Sequence, residues 1–154
     1  CLLLVGEAYD HNREQINHQV DSLCRRYPIQ IIRHYNFVPD SEIPFYFHLS
    51  DIILATYQRH VGMSGILIWA ASTGKPVISS DYGLMGETVK QHQLGTVLNA
   101  ADPKQIAEGI QSFIDKPCNV SCTEKPKSFA KKNAHYNFSK LIFQCLNNYS
   151  QNFV

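Results

Sequence analysis

Apolar residues along the chain fall into two patterns, short continuous runs and longer stretches with helical spacing. The short runs hold three to five residues and are bounded mostly by glycine, proline or polar positions. Such runs are typical of strands that are buried on both faces of a parallel sheet. They predict five strands, at Cys1–Val5, Ile29–Ile32, Ile52–Ala55, Pro76–Ser79 and Thr96–Leu98.

The longer stretches place their apolar residues on one face of a helix, as the spacing of Ile16, Val20 and Leu23 shows. We expect Asp40 or Ser41 to cap the start of one helix, and Gly74 to end another. The predicted helices cover residues 16–24, Ser41–Leu49, Ser64–Thr73, Gly86–His92, Pro103–Ile114 and 138–149, and residues 116–127 are expected to form a loop.

Strands alternate with helices from Cys1 to Ile114, and this order predicts an α/β fold. The expected architecture is a Rossmann-like, open, mostly parallel sheet flanked by helices. Proteins of this class bind ligands beyond the carboxyl ends of their strands. The loops that follow the first four predicted strands are therefore the first places to look for a site.

Composition narrows the class of protein. The chain has 154 residues, of which 44% are hydrophobic and 18% are charged, so it suits one globular domain. Its formal net charge of +1 argues against a surface built for nucleic acid. No apolar run approaches the roughly 20 residues of a membrane-spanning helix. Because the chain begins inside an apolar run, we expect it to be a fragment of a longer protein.

The cysteines are five in number and scattered, which does not indicate a disulfide framework. Cys118 and Cys122 have C-x3-C spacing without a second pair, so a zinc site is only a weak alternative. We expect a reducing, cytoplasmic environment and no metal.

One loop carries a recognisable chemistry, and it reads His60-Val61-Gly62-Met63-Ser64-Gly65-Ile66. It follows a predicted strand and opens a predicted buried helix. Its two glycines allow a ligand to approach the backbone, and the N–H groups at a helix start favour an anion such as phosphate. The alternative is that Ser64 only caps the helix and the glycines only shape a turn.

Several segments match, in order, the landmarks of one known domain. Leu3-Leu4-Val5-Gly6 resembles "L-x-V-G", and Tyr35–Asp40 resembles "G-F-V-x-x". Ser64–Ile78 resembles "x-G-x-x-x-x-E-A-M-A-x-G-x-P-V-I", and Gly86–Val89 and Leu94–Val97 resemble the segments that follow. Over about three quarters of the chain, this order resembles the C-terminal, donor-binding domain of retaining glycosyltransferases with the GT-B fold, of the group 1 and family 4 type.

The resemblance implies a substrate, a partner domain and a reaction. In this family the C-terminal domain binds a nucleotide-diphosphate sugar in a cleft against an N-terminal domain, which here would lie outside the chain. The sugar is transferred with retention of configuration, without a cofactor or metal, because helix dipoles and basic side chains neutralise the leaving diphosphate. Residues 1–115 would be the nucleotide-sugar-binding domain, and residues 116–154 a loop and C-terminal helices that pack on it or on the N-terminal domain.

The resemblance also implies roles for individual residues. The diphosphate would be bound at Gly62, Met63, Ser64, Gly65 and Ile66, and the nucleobase at Asn36, Phe37 and Val38. Candidates for contacts to the sugar or a phosphate are Gly6, Arg59, His60, Val61, Trp69 and Glu87.

The chain departs from the family pattern at its signature pair of glutamates, spaced Glu-x7-Glu. Val61 and Trp69 occupy these positions, so neither carboxylate is present. The chain therefore lacks the carboxylate that the resemblance assigns to the ribose hydroxyls. The family's catalytic histidine and acceptor site belong to the N-terminal domain, and no catalytic residue is assigned here.

Simpler interpretations compete for several of these residues. Arg59 and His60 are also typical of side chains on a solvated loop, and Trp69 is also typical of a core residue in a buried helix. Glu87 also suits a favourable interaction with the dipole of a first helical turn. A lysine cluster is typical of a solvated face or of contact with anionic lipid, as at the inner face of a membrane; it comprises Lys125, Lys127, Lys131 and Lys132.

Three functions remain open at this point. The chain is the donor-binding half of a glycosyltransferase, or a degenerate module that keeps the fold and serves as a scaffold, or part of a nucleotide-sugar epimerase of the same fold. The missing glutamates favour the scaffold modestly.

Overall fold

A computed structural model describes residues 1–116 and 124–151. The chain forms two compact units, Cys1–Tyr46 and Phe47–Val154. The elements are β1 (Leu2–Val5), α1 (Asp10–Arg26), β2 (Ile31–His34), α2 (Ile43–Leu49), β3 (Ile53–Ala55), α3 (Gly65–Thr73), β4 (Val77–Ser80), α4 (Gly83–His92), β5 (Gly95–Leu98), α5 (Pro103–Asp115), α6 (Glu124–Lys132) and α7 (His135–Gln151).

The first unit contains a parallel pair of strands, β1 and β2, in register from Leu2 opposite Ile31 to Val5 opposite His34. Helix α1 connects them, as a parallel pair requires. Polar contacts fasten the helix to the second strand, because the Arg33 guanidinium lies 2.8 Å from the Asp21 carboxylate. The Tyr35 hydroxyl also donates to Asn17 Oδ1 at 3.1 Å.

The second unit contains a three-stranded parallel sheet in the order β3, β4, β5. All four residues of the central strand β4 are buried. A central strand of a parallel sheet is buried on both faces, so its apolar residues follow one another without alternation. This pattern marks β4 in the sequence. The α/β architecture with parallel strands and flanking helices is confirmed.

Helix α3 packs into the core of this second unit. Leu67, Ala70 and Ala71 are buried there together with Val77 and Met85. The two alanines allow the backbone of α3 to lie close to its neighbours, and Leu67 packs within the same buried cluster. Gly74 ends the helix in the left-handed conformation at φ 68°, as predicted.

The predicted loop at residues 116–127 is wrong at its end, because α6 begins at Glu124. Pro126 marked the segment as irregular, yet proline is compatible with the first turn of a helix, where its missing N–H is not needed. Phe129 is buried, and its ring lies 4.6 Å from that of His92. Burial of Phe129 fixes α6 against the core. Cys118 and Cys122 lie outside the described residues.

Four helix starts differ from prediction. Helix α1 begins at Asp10 rather than near residue 16, and α7 begins at His135 rather than near residue 138. Helix α2 begins at Ile43, because Pro39 O accepts hydrogen bonds from the N–H groups of Glu42 and Ile43 and so forms a turn first. Helix α4 begins at Gly83 rather than Gly86, which moves Glu87 into the second turn. The predicted interaction of Glu87 with a first-turn dipole is therefore wrong, since that effect fades within one turn.

None of the helices in the described residues is long and apolar enough to cross a membrane. Across residues 1–116 and 124–151, no group of three His, Cys, Asp or Glu side chains is placed to hold a metal ion. Within the same ranges, Cys1, Cys24 and Cys145 are free thiols on the surface.

Candidate functional site

The carboxyl edge of the three-stranded sheet carries the loop that runs from Thr56 to Ser64. Hydrogen bonds hold this loop against the segments that follow the other two strands. Gln58 Nε2 donates to Ala100 O at 3.3 Å, and the Leu84 N–H donates to Val61 O at 3.1 Å. The loop is therefore anchored on both sides, and its direction at the start of α3 is fixed.

Gly83 allows the start of α4 to approach this loop. Its φ is 63°, and a Cβ at this position would lie 2.8 Å from His60 O and 3.0 Å from Val61 O. Any other residue would push the loop away or distort the backbone. Sequence reasoning gave Gly83 no role of its own, although its place just before a predicted helix was a usable signal.

The start of α3 has the geometry of a capped helix. Ser64 is extended, with φ −96° and ψ 140°, and its Oγ accepts a hydrogen bond from the Ile66 N–H at 3.4 Å. The first turn contains no acidic side chain that would compete for the positive end of the helix. Ser64 therefore caps the helix, as the alternative interpretation of this residue expected, and the Gly65 N–H at the same end has no protein acceptor in the described part of the chain.

Space is available in front of this helix start. A Cβ at Gly65 would have no heavy atom within 4 Å, and at Gly62 it would have only His60 Nε2, at 3.8 Å. Val61 and Met63 are both exposed, Val61 at 70%. Gly62, Met63, Ser64, Gly65 and Ile66 thus lie together around an open, positively polarised helix end, which can bind an anion.

Two basic side chains lie on the same loop. Arg59 and His60 are both exposed. Arg59 has φ 56°, a left-handed conformation that costs a non-glycine residue roughly 1 kcal/mol. The His60 ring lies 5.5 Å from the Tyr57 ring, in a tilted arrangement. The ring contact and the left-handed backbone at Arg59 together define the conformation of the loop.

The remaining candidates of the second unit, Trp69 and Glu87, lie on helices α3 and α4. Trp69 is only partly buried and is not a member of the core cluster, so the core interpretation of this residue is wrong. Its carbonyl oxygen accepts hydrogen bonds from the hydroxyls of Ser72 and Thr73, each at 2.8 Å. Glu87 is exposed on α4.

In the first unit, the candidates follow the carboxyl ends of both strands. Gly6 has φ 128°, which requires glycine, and its surroundings are open where a side chain would be. The Gly6 N–H donates to His34 O at 3.0 Å, so the two strand ends lie together. Asn36 is exposed, Phe37 is 73% exposed, and Val38 is partly buried. Phe37 therefore presents a free aromatic face.

Ser64→Ala tests the role of the cap in the stability of α3. Removing the hydroxyl leaves the Ile66 N–H without its acceptor, and we expect the free energy of unfolding to fall by about 1 kcal/mol. Urea denaturation followed by circular dichroism measures this. Ser72→Ala is the control, since that exposed hydroxyl bonds within the helix at its other end. Equal losses for both variants would contradict a capping role.

The comparisons with known proteins agree with the fold. The family model of glycosyl transferases group 1 matches residues 2–136. The solved structure of sucrose-phosphate synthase from Thermosynechococcus elongatus is similar, with a TM-score of 0.74 and 19% sequence identity over 99% of the chain. The chain spans 38% of the length of that structure. No curated protein matches the chain.

Proposed function

The chain belongs to the glycosyl transferases group 1 family, and we propose that it binds the nucleotide-diphosphate sugar of a glycosyltransferase that transfers the sugar with retention. The observation that carries the proposal is the open, unoccluded start of α3, where backbone N–H groups and the helix dipole meet free space. The order of elements and the TM-score of 0.74 support the fold on which such a site is built.

The proposed ligand contact at α3 is the diphosphate. An anion at a helix start is stabilised by the partial positive charge of the dipole and by N–H groups that have no intrahelical acceptor. The Gly65 N–H is such a group, and Gly62 and Gly65 leave room for phosphate oxygens. Arg59, on the same loop, adds positive charge as the diphosphate leaves, and the ring of His60 offers a hydrogen-bond donor.

The proposed nucleobase contact belongs to Asn36, Phe37 and Val38. Phe37 is exposed enough to stack on a base, and Asn36 provides polar groups for the base edge. Gly6 leaves room for phosphate and sugar near the end of β1. No metal is needed in this scheme, because the helix end and the basic side chains carry the neutralising charge.

Val61 and Trp69 change what the site can recognise. At these positions the family pattern has glutamates, and a carboxylate can hold two ribose hydroxyls where valine and tryptophan cannot. We therefore expect the nucleotide to bind weakly, through its diphosphate and base. The same two residues favour the second candidate function, a module that keeps the fold and acts as a scaffold.

The acceptor site and the catalytic groups are proposed to lie in a further N-terminal domain. The chain spans 38% of the length of the sucrose-phosphate synthase structure, which leaves room for such a domain in a longer protein. Without it, the chain is expected to bind donor and turn nothing over.

The single tryptophan of the chain makes a direct test possible, because Trp69 lies on α3, the helix whose start is the proposed site. The experiment follows Trp69 fluorescence during titration with UDP, GDP and ADP, and with the matching nucleosides. We expect saturable changes for one diphosphate at about millimolar concentration, and none for its nucleoside. Equal responses to nucleoside and diphosphate would contradict phosphate recognition, and no response to any diphosphate would favour the scaffold.

Phe37→Ala is expected to weaken binding of the preferred nucleoside diphosphate about tenfold, because stacking of a base on an aromatic side chain is lost. Phe45→Ala is the matched control, since Phe45 is 67% exposed but lies on α2 rather than after a strand. Isothermal calorimetry measures both variants. Equal affinities for the two variants would remove Phe37 from the base site.

A further inference from the structure

The surface around the start of α3 is apolar, although the ligand proposed for it is charged. Large apolar or aromatic side chains are exposed on the two segments that meet there, residues 56–64 and the start of α4. We call this set the apolar rim, and it comprises Tyr57, Val61, Met63, Tyr82 and Leu84. The exposed fraction is 37% for Met63, 50% for Tyr82 and 70% for Val61. Exposed apolar residues that cluster in this way mark a contact surface.

Backbone contacts join the two halves of the apolar rim. The Leu84 N–H donates to Val61 O at 3.1 Å, and a Cβ at Gly83 would lie 3.2 Å from Val61 Cα. Tyr82 immediately precedes Gly83 and therefore borders the same loop. Met63 is two residues beyond Val61, just before α3 begins. All these residues belong to the unit Phe47–Val154, so the apolar rim is one surface.

Partners for sugar hydroxyls are few along this surface. Residues 56–64 contain no acidic side chain, and their basic residues are Arg59 and His60. Between the end of β4 and Glu87, the sequence has one carboxylate, that of Asp81. A hydroxyl that loses its water and finds no partner weakens binding about tenfold. A fully hydroxylated hexose is therefore poorly matched to the apolar rim.

Trp69 continues the apolar surface along α3. It follows Gly65 by four residues, so the two lie on the same side of the helix, and its side chain is partly exposed. Val61 and Trp69 stand where the family pattern has glutamates. Two carboxylates have thus been exchanged for apolar side chains next to one helix start. The exchange changes which substituents of a ligand can be bound there.

We propose that the sugar of the donor carries an apolar substituent, such as an N-acetyl group or the methyl group of a deoxy sugar, and that the apolar rim binds it. The inference rests on the proposed function, in which the diphosphate lies at the start of α3. The sugar is bonded directly to the second phosphate, so it lies against the residues that flank this start. A methyl group packed on Val61 and Leu84 releases water from both surfaces.

The experiment compares two nucleotide sugars that differ in one substituent, by calorimetric titration of the chain. The pair is UDP-glucose and UDP-N-acetylglucosamine, GDP-mannose and GDP-6-deoxymannose, or ADP-glucose and ADP-N-acetylglucosamine, according to which bare diphosphate binds. We expect the member with the apolar substituent to bind at least about fourfold more tightly, the contribution of one buried methyl group. The bare diphosphate is titrated in parallel.

Val61→Thr tests the apolar rim with almost no change of shape, because one methyl group becomes a hydroxyl. The preference within the pair is expected to fall to about twofold or less. Ile114→Thr is the matched control, since Ile114 is also β-branched and is 65% exposed. It lies near the end of α5, where Phe113 borders a cavity with Pro76 and Gly95 at the opposite edge of the sheet. This control is expected to keep the full preference.

Different results would overturn different parts of the account. Equal affinities within the pair, in a chain that binds the bare diphosphate, would overturn this inference and leave the proposed function standing. No binding of any diphosphate or nucleotide sugar would overturn both. The same loss of preference in Val61→Thr and Ile114→Thr would remove the apolar rim from sugar recognition. Farnesyl diphosphate that binds more tightly than either nucleotide sugar would assign the apolar rim to a lipid chain instead.

Discussion

Gly65→Asp is expected to weaken nucleoside diphosphate binding about 100-fold, because it places a carboxylate where the phosphates would lie. Gly65 is the first residue of α3, and a side chain there would enter open space without displacing protein atoms. The variant therefore changes the charge in front of the helix and leaves the packing behind it untouched. Calorimetric titration of both proteins with the preferred diphosphate measures the difference.

Although Gly65→Asp is expected to lose affinity, its stability should increase. An acidic side chain in the first turn of a helix interacts favourably with the dipole, so the free energy of unfolding should rise by about 0.5 kcal/mol. Gly65→Asn has nearly the same shape without the charge, and is expected to keep most of the affinity. If the Asn and Asp variants lost affinity equally, the effect would be steric, and the electrostatic account of the site would be wrong.

Gly95→Ala is expected to lower the free energy of unfolding by about 4 kcal/mol or more. Gly95 begins β5 with φ 154°, a conformation that L-residues rarely adopt. A Cβ there would overlap Val77 O and lie 2.6 Å from Val77 N, in the buried central strand. The backbone strain at residue 95 and the overlap with Val77 both act where β4 pairs with β5. Moving either strand to relieve them would break hydrogen bonds between the two strands.

Gly65→Ala is the control for this prediction, because the added methyl group meets no heavy atom within 4 Å. Its unfolding free energy should change by less than about 1 kcal/mol. Urea denaturation monitored by far-ultraviolet circular dichroism compares the two variants. A Gly95→Ala protein as stable as the control would mean that β5 does not pair with β4 in the register observed.

The sequence predicted five strands because each contains a short apolar run, although β2 begins at Ile31, two residues later than predicted. Buried strands of a parallel sheet need no alternation, so Val77 and Ile78 suffice to mark β4. Helix α3 was equally clear, since Ser64 and Gly74 have the chemistry of its two ends. The starts of α2 and α4 were missed because backbone turns at Pro39 and Gly83, rather than capping side chains, decide them.

Helix α6 was missed for a different reason. Its helical pattern is short, and Pro126 is a residue that usually marks a loop. The helix is fixed by burial of Phe129 against the core and by its ring contact with His92. Such tertiary contacts override local propensity and are not visible in the local sequence.

The sequence predicted which residues form the candidate site, but not the contacts that hold its loop in place. Gly62, Gly65 and Ser64 predicted a helix start with open space in front of it, and α3 begins in this way. The support for the loop was not predictable, because it depends on contacts with Gly83, Leu84 and Ala100, which are distant from the loop in sequence. The incomplete burial of Trp69 was also unpredictable, since the apolar neighbours of this residue in the sequence suggested a place in the core.

The central claim is that a nucleoside diphosphate binds through the start of α3. The most direct measurement is a titration of the isotope-labelled chain with UDP, GDP and ADP, followed by backbone amide chemical shifts. The claim predicts shifts concentrated at Met63–Ile66 and Asn36–Val38, with one base preferred. Shifts that are absent at about millimolar ligand, or that fall elsewhere, would contradict it and would favour a scaffold that keeps the fold without the site.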